Sequence, residues 1–263
     1  MSTYSYAFRD SATMLRRDIK HSLRYPVMSL SGISVPVLFL LLFAGVFGSA
    51  LHAGLGSAIP AGGSYIDYLT PGILLMTACS SAEATAISVS TDMTEGIIAR
   101  FRTMPITRTS VLAGQVLGSL IRTMISGALV VAVAVGLGFR PSAGLVGWLA
   151  TAGLFALLSF GVIWLTVAFG LLAKTAAGAN SLALLIVILP FVSSAFVPTT
   201  AMPAGVRWFA ENQPFTPVID TLRGLLIGGP IGHAGILAVA WCAAIAVGGF
   251  TWARALYNRN RTA

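Results

Sequence analysis

Charged residues are scarce in this sequence: it has 16 basic and 8 acidic residues, 9% of its 263 positions, against about a quarter in soluble proteins. So few charges cannot cover the surface of a water-soluble globule of this size. The shortage excludes an ordinary soluble enzyme, a disordered chain and a nucleic-acid-binding domain. Because hydrophobic residues make up 56% of the chain, we expect an all-α integral membrane protein embedded in the lipid bilayer.

Residues and motifs that usually form catalytic or metal-binding sites are also few. The two cysteines, Cys79 and Cys242, lie within apolar segments, where we expect small buried side chains and no disulfide. The three histidines do not share a helix face at metal-binding spacing, so no metal site is predicted. The sequence holds no Gly-x-Ser-x-Gly elbow, and Lys174-Thr175 lacks the glycines of a phosphate-binding loop. We therefore expect no catalytic residue in this chain and no cofactor bound by it.

Long apolar runs dominate what remains. A transmembrane helix needs about 20 mostly apolar residues. Six runs fit, at about 27–49, 69–90, 111–138, 144–172, 179–197 and 231–252. We therefore expect a single transmembrane domain over 27–263, preceded by a separate element at 1–26. Six spans place both ends of the chain on the same side of the membrane.

The basic residues predict the orientation of these spans. With the N-terminus inside, 12 of the 16 fall in cytoplasmic segments, three in external segments and one, Arg122, within the third span. This bias follows the positive-inside rule, so the topology is predicted to be N-in and C-in. Tyr65 and Tyr68 mark the outer interface, where aromatic side chains are frequent.

Two further segments predict helices that do not cross the membrane. Residues 1–26 have apolar side chains every three or four positions and basic ones on the other face, which is typical of an amphipathic interfacial helix. Residues 198–230 are too apolar for an open loop and too broken to cross twice. There we expect two short external re-entrant helices between spans five and six. The second should start at Thr216-Pro217 and end at Gly228-Gly229-Pro230.

Two charges lie within the predicted spans. Glu83 in the second and Arg122 in the third would each cost about 2.5–3.5 kcal/mol at mid-membrane, so each is expected to have a partner. Since consecutive spans are usually neighbours, one interpretation is that the two form an ion pair. The other is that both side chains extend to the cytoplasmic interface. An ion-coupled secondary carrier using Glu83 is the alternative function, although a single buried acid favours it little.

Polar uncharged side chains recur on two of the spans, Thr77, Ser81 and Ser88 on the second and Asn180, Ser193 and Ser194 on the fifth. Such residues either hydrogen-bond between helices or line a pathway. Taken alone, the pattern favours packing.

The cytoplasmic stretch 91–115 has breaks at Gly96 and Pro105. Between them, apolar side chains at helical spacing lie beside arginines, which predicts a short helix lying flat on the inner surface. The helix dipole favours Glu95 near its N-terminus. Such a helix either anchors to the membrane or docks a cytoplasmic partner. The residues concerned are Glu95, Gly96, Arg100, Phe101, Arg102, Met104 and Pro105.

These features resemble the permeases of the ABC-2 type. The order Glu95-Gly96, Arg100-Phe101-Arg102, Met104-Pro105-Ile106 and then an apolar run to Gln115 is similar to that family's signature, although Lys is frequent at the last position. Residues 191–226 resemble the daunorubicin-resistance branch of bacterial ABC exporters. The similarity there lies in the motifs Ser-Ser-x-Phe-Val-Pro and Asn-Gln-Pro-Phe-Thr-Pro.

The resemblance implies a permease subunit in the bacterial plasma membrane that exports a hydrophobic or amphipathic substrate, such as a drug or a lipid. Two ATP-binding subunits, which would hold the ATP and Mg, would dock on the 91–115 loop. A second permease, as a homodimer or a sister-chain heterodimer, would face this one across the second and fifth spans. The pathway residues implied are Thr77, Ser81, Ser88, Asn180, Phe191, Ser193 and Ser194.

Overall fold

The computed structural model describes residues 26–46, 48, 64–94, 108–173 and 175–259. Over these ranges the chain is helical and contains no strand. Two 3₁₀ turns, Leu189–Val192 and Thr199–Ala201, lie between the fifth and sixth α-helices. The α-helices are α1 (Pro26–Gly45), α2 (Tyr65–Thr94), α3 (Arg108–Gly136), α4 (Leu145–Leu172), α5 (Ala176–Ile188), α6 (Ala204–Asn212), α7 (Phe215–Ile227) and α8 (Ala234–Arg259).

Four helices within the described ranges are long and apolar enough to cross a membrane, Tyr65–Thr94, Leu112–Gly136, Leu145–Leu172 and Ala234–Arg259. They coincide with the second, third, fourth and sixth predicted spans. α1 matches the first predicted span with 20 residues, and α5 matches the fifth with only 13. The prediction of an all-helical membrane protein is confirmed, while the number of crossings and their orientation stay predictions.

Contacts near the helix termini identify one end of the helix bundle. Asp67, near the start of α2, accepts a hydrogen bond from the backbone N–H of Arg140, just after α3 (3.1 Å). The backbone N–H of Ser142 donates to the carbonyl of Leu226 near the end of α7 (3.0 Å). We call this side the Asp67 end. Since α8 starts beside α7 and extends for 26 residues, about 39 Å, its last residue marks the opposite side, the Arg259 end.

α2 is the central helix, and it packs against α1, α3, α4, α5 and α7. Every residue from Tyr65 to Cys79 except Ile66 is buried. The hydrophobic core therefore lies around the first half of α2, toward the Asp67 end.

Glycines allow the helix backbones to touch at several crossings. A Cβ atom added at Gly72 of α2 would lie 2.8 Å from the Cα of Ala195, in the segment after α5. One added at Gly249 of α8 would lie 2.6 Å from the backbone N of Leu165 in α4. Small residues at crossings are typical of membrane helix packing, where close backbone approach replaces the hydrophobic driving force.

The boundaries of α7 agree with the sequence prediction at one end only. The helix ends as predicted at Gly228, which adopts a left-handed conformation (φ 85°) and donates its N–H to the Gly224 carbonyl (3.0 Å). Its start was predicted wrongly. The helix begins at Phe215, and Pro217 lies in the first turn, where a missing N–H costs no hydrogen bond.

Candidate functional site

The seven predicted coupling residues lie within 95–107, outside the described residues, as do residues 1–25 of the predicted interfacial helix. The structure does show the helix ends that flank this segment. Gln115 Nε2, near the start of α3, donates to Ser88 Oγ (3.2 Å) and to Asp92 Oδ2 (3.3 Å), near the end of α2. The two ends of the segment are thus held side by side at the Arg259 end.

Glu83 and Arg122, predicted as one possible ion pair, do not form it in the structure. Arg122 Nη2 donates instead to Ser119 Oγ, one turn earlier on α3 (2.8 Å), and Thr85 Oγ1 of α2 donates to the same oxygen (2.9 Å). No described residue forms an ion pair with Glu83. The reason is helical geometry. Thr85 faces α3, and Glu83, two residues away, lies about 160° around the helix from it.

Three of the seven predicted pathway residues belong to the internal packing. Thr77 is fully buried, and its hydroxyl donates to a carbonyl one turn earlier in α2 (2.7 Å). Ser193 is also fully buried, and its hydroxyl donates to the Pro190 carbonyl (2.6 Å). Ser194 Oγ donates to Asp220 Oδ1 (2.8 Å). These hydroxyls are satisfied within this chain.

The other four predicted pathway residues lie at the surface of the chain. Ser88 of α2 and Asn180 of α5 are exposed, Ser81 is half-buried, and Phe191 is 38% exposed. On α2 between Ser80 and Thr91, the exposed and half-buried side chains form one arc, with Ser81 at one edge and Glu83 at the other. The surface that α2 and α5 leave uncovered is therefore polar toward the Arg259 end.

A polar cluster at the Asp67 end holds the segment that follows α5. Arg223 of α7 donates from Nη1 to Asp220 Oδ1 (2.8 Å) and from Nη2 to the carbonyls of Ser194 (2.8 Å) and Tyr68 (3.3 Å). Its guanidinium carbon lies 3.8 Å from the centre of the Tyr68 ring. The Tyr68 hydroxyl in turn donates to the Ser194 carbonyl (3.0 Å). We call Tyr68, Ser194, Asp220 and Arg223 the Arg223 clamp.

Neighbouring side chains also donate hydrogen bonds to backbone carbonyls of the segment that follows α5. The Tyr65 hydroxyl donates to the Phe196 carbonyl (3.3 Å), and Gln213 Nε2 donates to the Val192 carbonyl. Backbone carbonyls outside a helix are costly in an apolar environment unless the protein pairs them. Side chains from α2, α7 and the turn before α7 therefore replace the hydrogen bonds that a longer α5 would have made.

Tyr65 and Tyr68, which were predicted to mark the outer interface, are buried within the helix bundle. Their side chains are 2% and 3% exposed, and both hydroxyls bond to buried backbone. The clamp itself was missed, since Arg223 counted only as an external basic residue. A sequence signal existed, because Asp220 and Arg223 are three residues apart on a helix and so share one face.

Four phenylalanines form an apolar layer next to the clamp. Phe191 lies 5.4 Å from Phe39 of α1 and 5.1 Å from Phe196, measured between ring centres. Phe43 of α1 lies 4.8 Å from Phe196. Contacts of this length are typical of favourable aromatic pairs. Within the part of the chain that the structure describes, no three His, Cys, Asp or Glu side chains come together as a metal would require.

Comparison with known proteins gives a family and several relatives. A family model described as "ABC-2 type transporter" matches residues 10–227. The chain is 25% identical over 205 residues to "Daunorubicin resistance ABC transporter permease protein DrrB1" of Streptomyces coeruleorubidus, covering 78% of this chain and 70% of that protein. It is 25% identical over 218 residues to "Probable doxorubicin resistance ABC transporter permease protein DrrC" of Mycobacterium tuberculosis, covering 83% and 77%.

Proposed function

Since the chain belongs to the ABC-2 type transporter family, whose members are transmembrane subunits and not ATPases, we propose that it is the permease subunit of an ATP-driven exporter. Its six spans cross the bacterial plasma membrane with both ends inside, so the Arg259 end is cytoplasmic and the Asp67 end is external. Two ATP-binding subunits, which hold the ATP and Mg, drive two permeases that assemble as a homodimer or a heterodimer. The cargo is hydrophobic or amphipathic.

The observation that carries this proposal is the uncovered polar face of α2 and α5. The two helices pack against each other through Ala86, Ala179 and Ala183. Beside this contact, Asn180 is exposed and Glu83 is half-buried, and neither side chain bonds to another described residue. Such groups are costly against lipid. A second permease, facing this one across a water-containing route, would relieve that cost.

The same face becomes apolar toward the Asp67 end, which supports the proposed kind of cargo. Beyond Asn180 and Ser181, which are both exposed, the exposed side chains of α5 and the turn after it are Leu184, Leu185, Ile188 and Phe191. A route that is polar at its cytoplasmic end and apolar farther on suits a molecule with a polar head and an apolar body. The two relatives are named for resistance to daunorubicin and doxorubicin, so we extend the proposal to drug-like amphiphiles.

Replacing Asn180 with leucine is expected to reduce ATP-dependent transport by about fivefold, because the substitution removes a hydrogen-bonding amide from the polar part of the proposed route. Inside-out membrane vesicles that contain the assembled transporter would be supplied with ATP, and daunorubicin uptake would be followed by fluorescence. Thr251→Val is the matched control. Thr251 is exposed on α8, and its hydroxyl bonds to carbonyls of its own helix. Equal transport by both variants would contradict the pathway.

Glu83→Gln in the same assay separates the exporter from an ion-coupled carrier. For an exporter, uptake requires the ATP-binding subunit, and we expect the Gln variant to retain most of it. Uptake that persists without ATP and without that subunit, and that disappears in Glu83→Gln, would replace the proposed function by a secondary carrier.

Changing Glu95 and Arg102 together to alanine is expected to release the ATP-binding subunit. The contacts of Gln115 with Ser88 and Asp92 fix both ends of the 95–107 segment at one end of the bundle, which supports a docking loop there. Affinity purification from native membranes, with the ATP-binding subunit detected by mass spectrometry, measures the effect. Arg207→Ala, at the opposite end, is the control. A double variant that retains as much partner as the control would place the docking surface elsewhere.

A further inference from the structure

α3, α4 and α8 line a partly open cavity of about 190 Å³ at the Arg259 end, and no residue of α2 or α5 is part of its described lining. Leu112 and Ala113 of α3 line one wall. Trp164 of α4 and Phe250 of α8 line another wall, with ring centres 4.9 Å apart and ring planes at 90°. Walls of this composition suit an apolar chain.

The remaining lining residues, Arg254, Tyr257 and Asn258, are polar and lie within one turn of each other near the end of α8. Each carries a hydrogen-bond donor. Within the described part of the chain, none of the three side chains forms a hydrogen bond or an ion pair. Arg254 is exposed, whereas Tyr257 is only 7% exposed, and its hydroxyl has no partner within the described ranges. None of the described residues that line the cavity is acidic.

We propose that this cavity binds an anionic phospholipid, with the phosphate on Arg254, Tyr257 and Asn258 and part of an acyl chain against Trp164 and Phe250. A cluster of donors with one positive charge and no acid selects an anion. The apolar wall beyond it selects a ligand that also has a hydrocarbon chain. Basic pockets between transmembrane helices are known to take lipid head groups in this way. In the proposed orientation the lipid comes from the cytoplasmic leaflet. The site does not depend on transport.

Native mass spectrometry tests the proposal on the full chain, purified in its assembly and stripped of lipid in mild detergent. The probes are dioleoylphosphatidylglycerol, which is anionic, and dioleoylphosphatidylcholine, which carries the same chains and no net charge. We expect the anionic lipid to bind about fivefold more tightly, and Arg254→Gln to abolish that preference. Arg207→Gln, which removes an arginine at the opposite end, should leave the preference intact.

Ala113→Trp provides an independent variant that fills the cavity without changing charge. We expect it to lose the tightly bound lipid while keeping the thermal stability of the parent. The proposal is wrong if the two lipids bind equally to the parent, or if Arg254→Gln and Arg207→Gln behave alike. It is also wrong if a folded Ala113→Trp protein retains the lipid, since the lipid would then lie elsewhere on the surface.

Discussion

Replacing Arg223 with alanine is expected to destabilise the protein by about 3 kcal/mol and to lower its thermal transition by about 10 °C. The guanidinium bonds to one carboxylate and two backbone carbonyls and lies against the Tyr68 ring. Without the guanidinium, the Ser194 carbonyl accepts a hydrogen bond only from the Tyr68 hydroxyl, and the Asp220 carboxylate loses its cation. Buried acceptors that lose a charged donor carry most of the cost.

The matched control for this variant is Arg207→Ala. Arg207 Nε lies 2.8 Å from Glu211 Oε1 on α6, and the two side chains are 47% and 44% exposed. The hydrogen bond from Arg207 lowers the pKa of Glu211, but an exposed pair of this kind contributes little to stability. Heating the purified protein in detergent and measuring the folded fraction by size-exclusion chromatography compares the two variants. Equal losses would show that the Arg223 clamp is no more important than a surface ion pair.

Replacing Gly249 with alanine is expected to have an effect of the same size, about 3 kcal/mol, through steric overlap. The new methyl group would lie 2.6 Å from the backbone N of Leu165 and 3.0 Å from the carbonyl carbon of Trp164. Backbone atoms cannot move aside as a flexible side chain can, so α4 and α8 must separate. Their contact is the most extensive between two helices in the described ranges.

Gly248 offers a control one residue away. A Cβ at that position meets nothing within 4 Å, so Gly248→Ala should be neutral or slightly stabilising, since alanine favours a helix over glycine. The same heating assay compares the two alanine variants. If Gly248→Ala were as harmful as Gly249→Ala, intrinsic helix preference and not close packing would explain both.

The apolar helices and their ends were predictable because each depends on neighbouring residues. α2, α3, α4 and α8 follow from long apolar runs, and the end of α7 follows from Gly228. The short length of α5 was missed, although a local signal for it exists in Pro190. The apolar run continues to Val197, but Pro190 lies in a 3₁₀ turn, and the α-helix ends at Ile188.

The contacts that depend on the fold were beyond the sequence alone. Tyr68 reaches a carbonyl 126 residues away, and no local pattern marks that partner. The opposite happened with Glu83 and Arg122, where a contact was predicted that the structure does not contain. Both were placed on neighbouring helices correctly, but pairing also requires the two side chains to face each other. The polar residues of the fifth span divide for the same reason, with Asn180 exposed and Ser193 buried.

The Arg223 clamp also constrains the order in which the protein can be made. The Ser194 carbonyl leaves the ribosome 29 residues before the arginine that binds it. Until then, the Ser194 carbonyl can accept a hydrogen bond from the Tyr68 hydroxyl but lacks the charged donor of the clamp. The fifth span therefore completes its folding only after α7 has been synthesised. A nascent chain interrupted between these two points would present cellular proteases with an unfinished helix end.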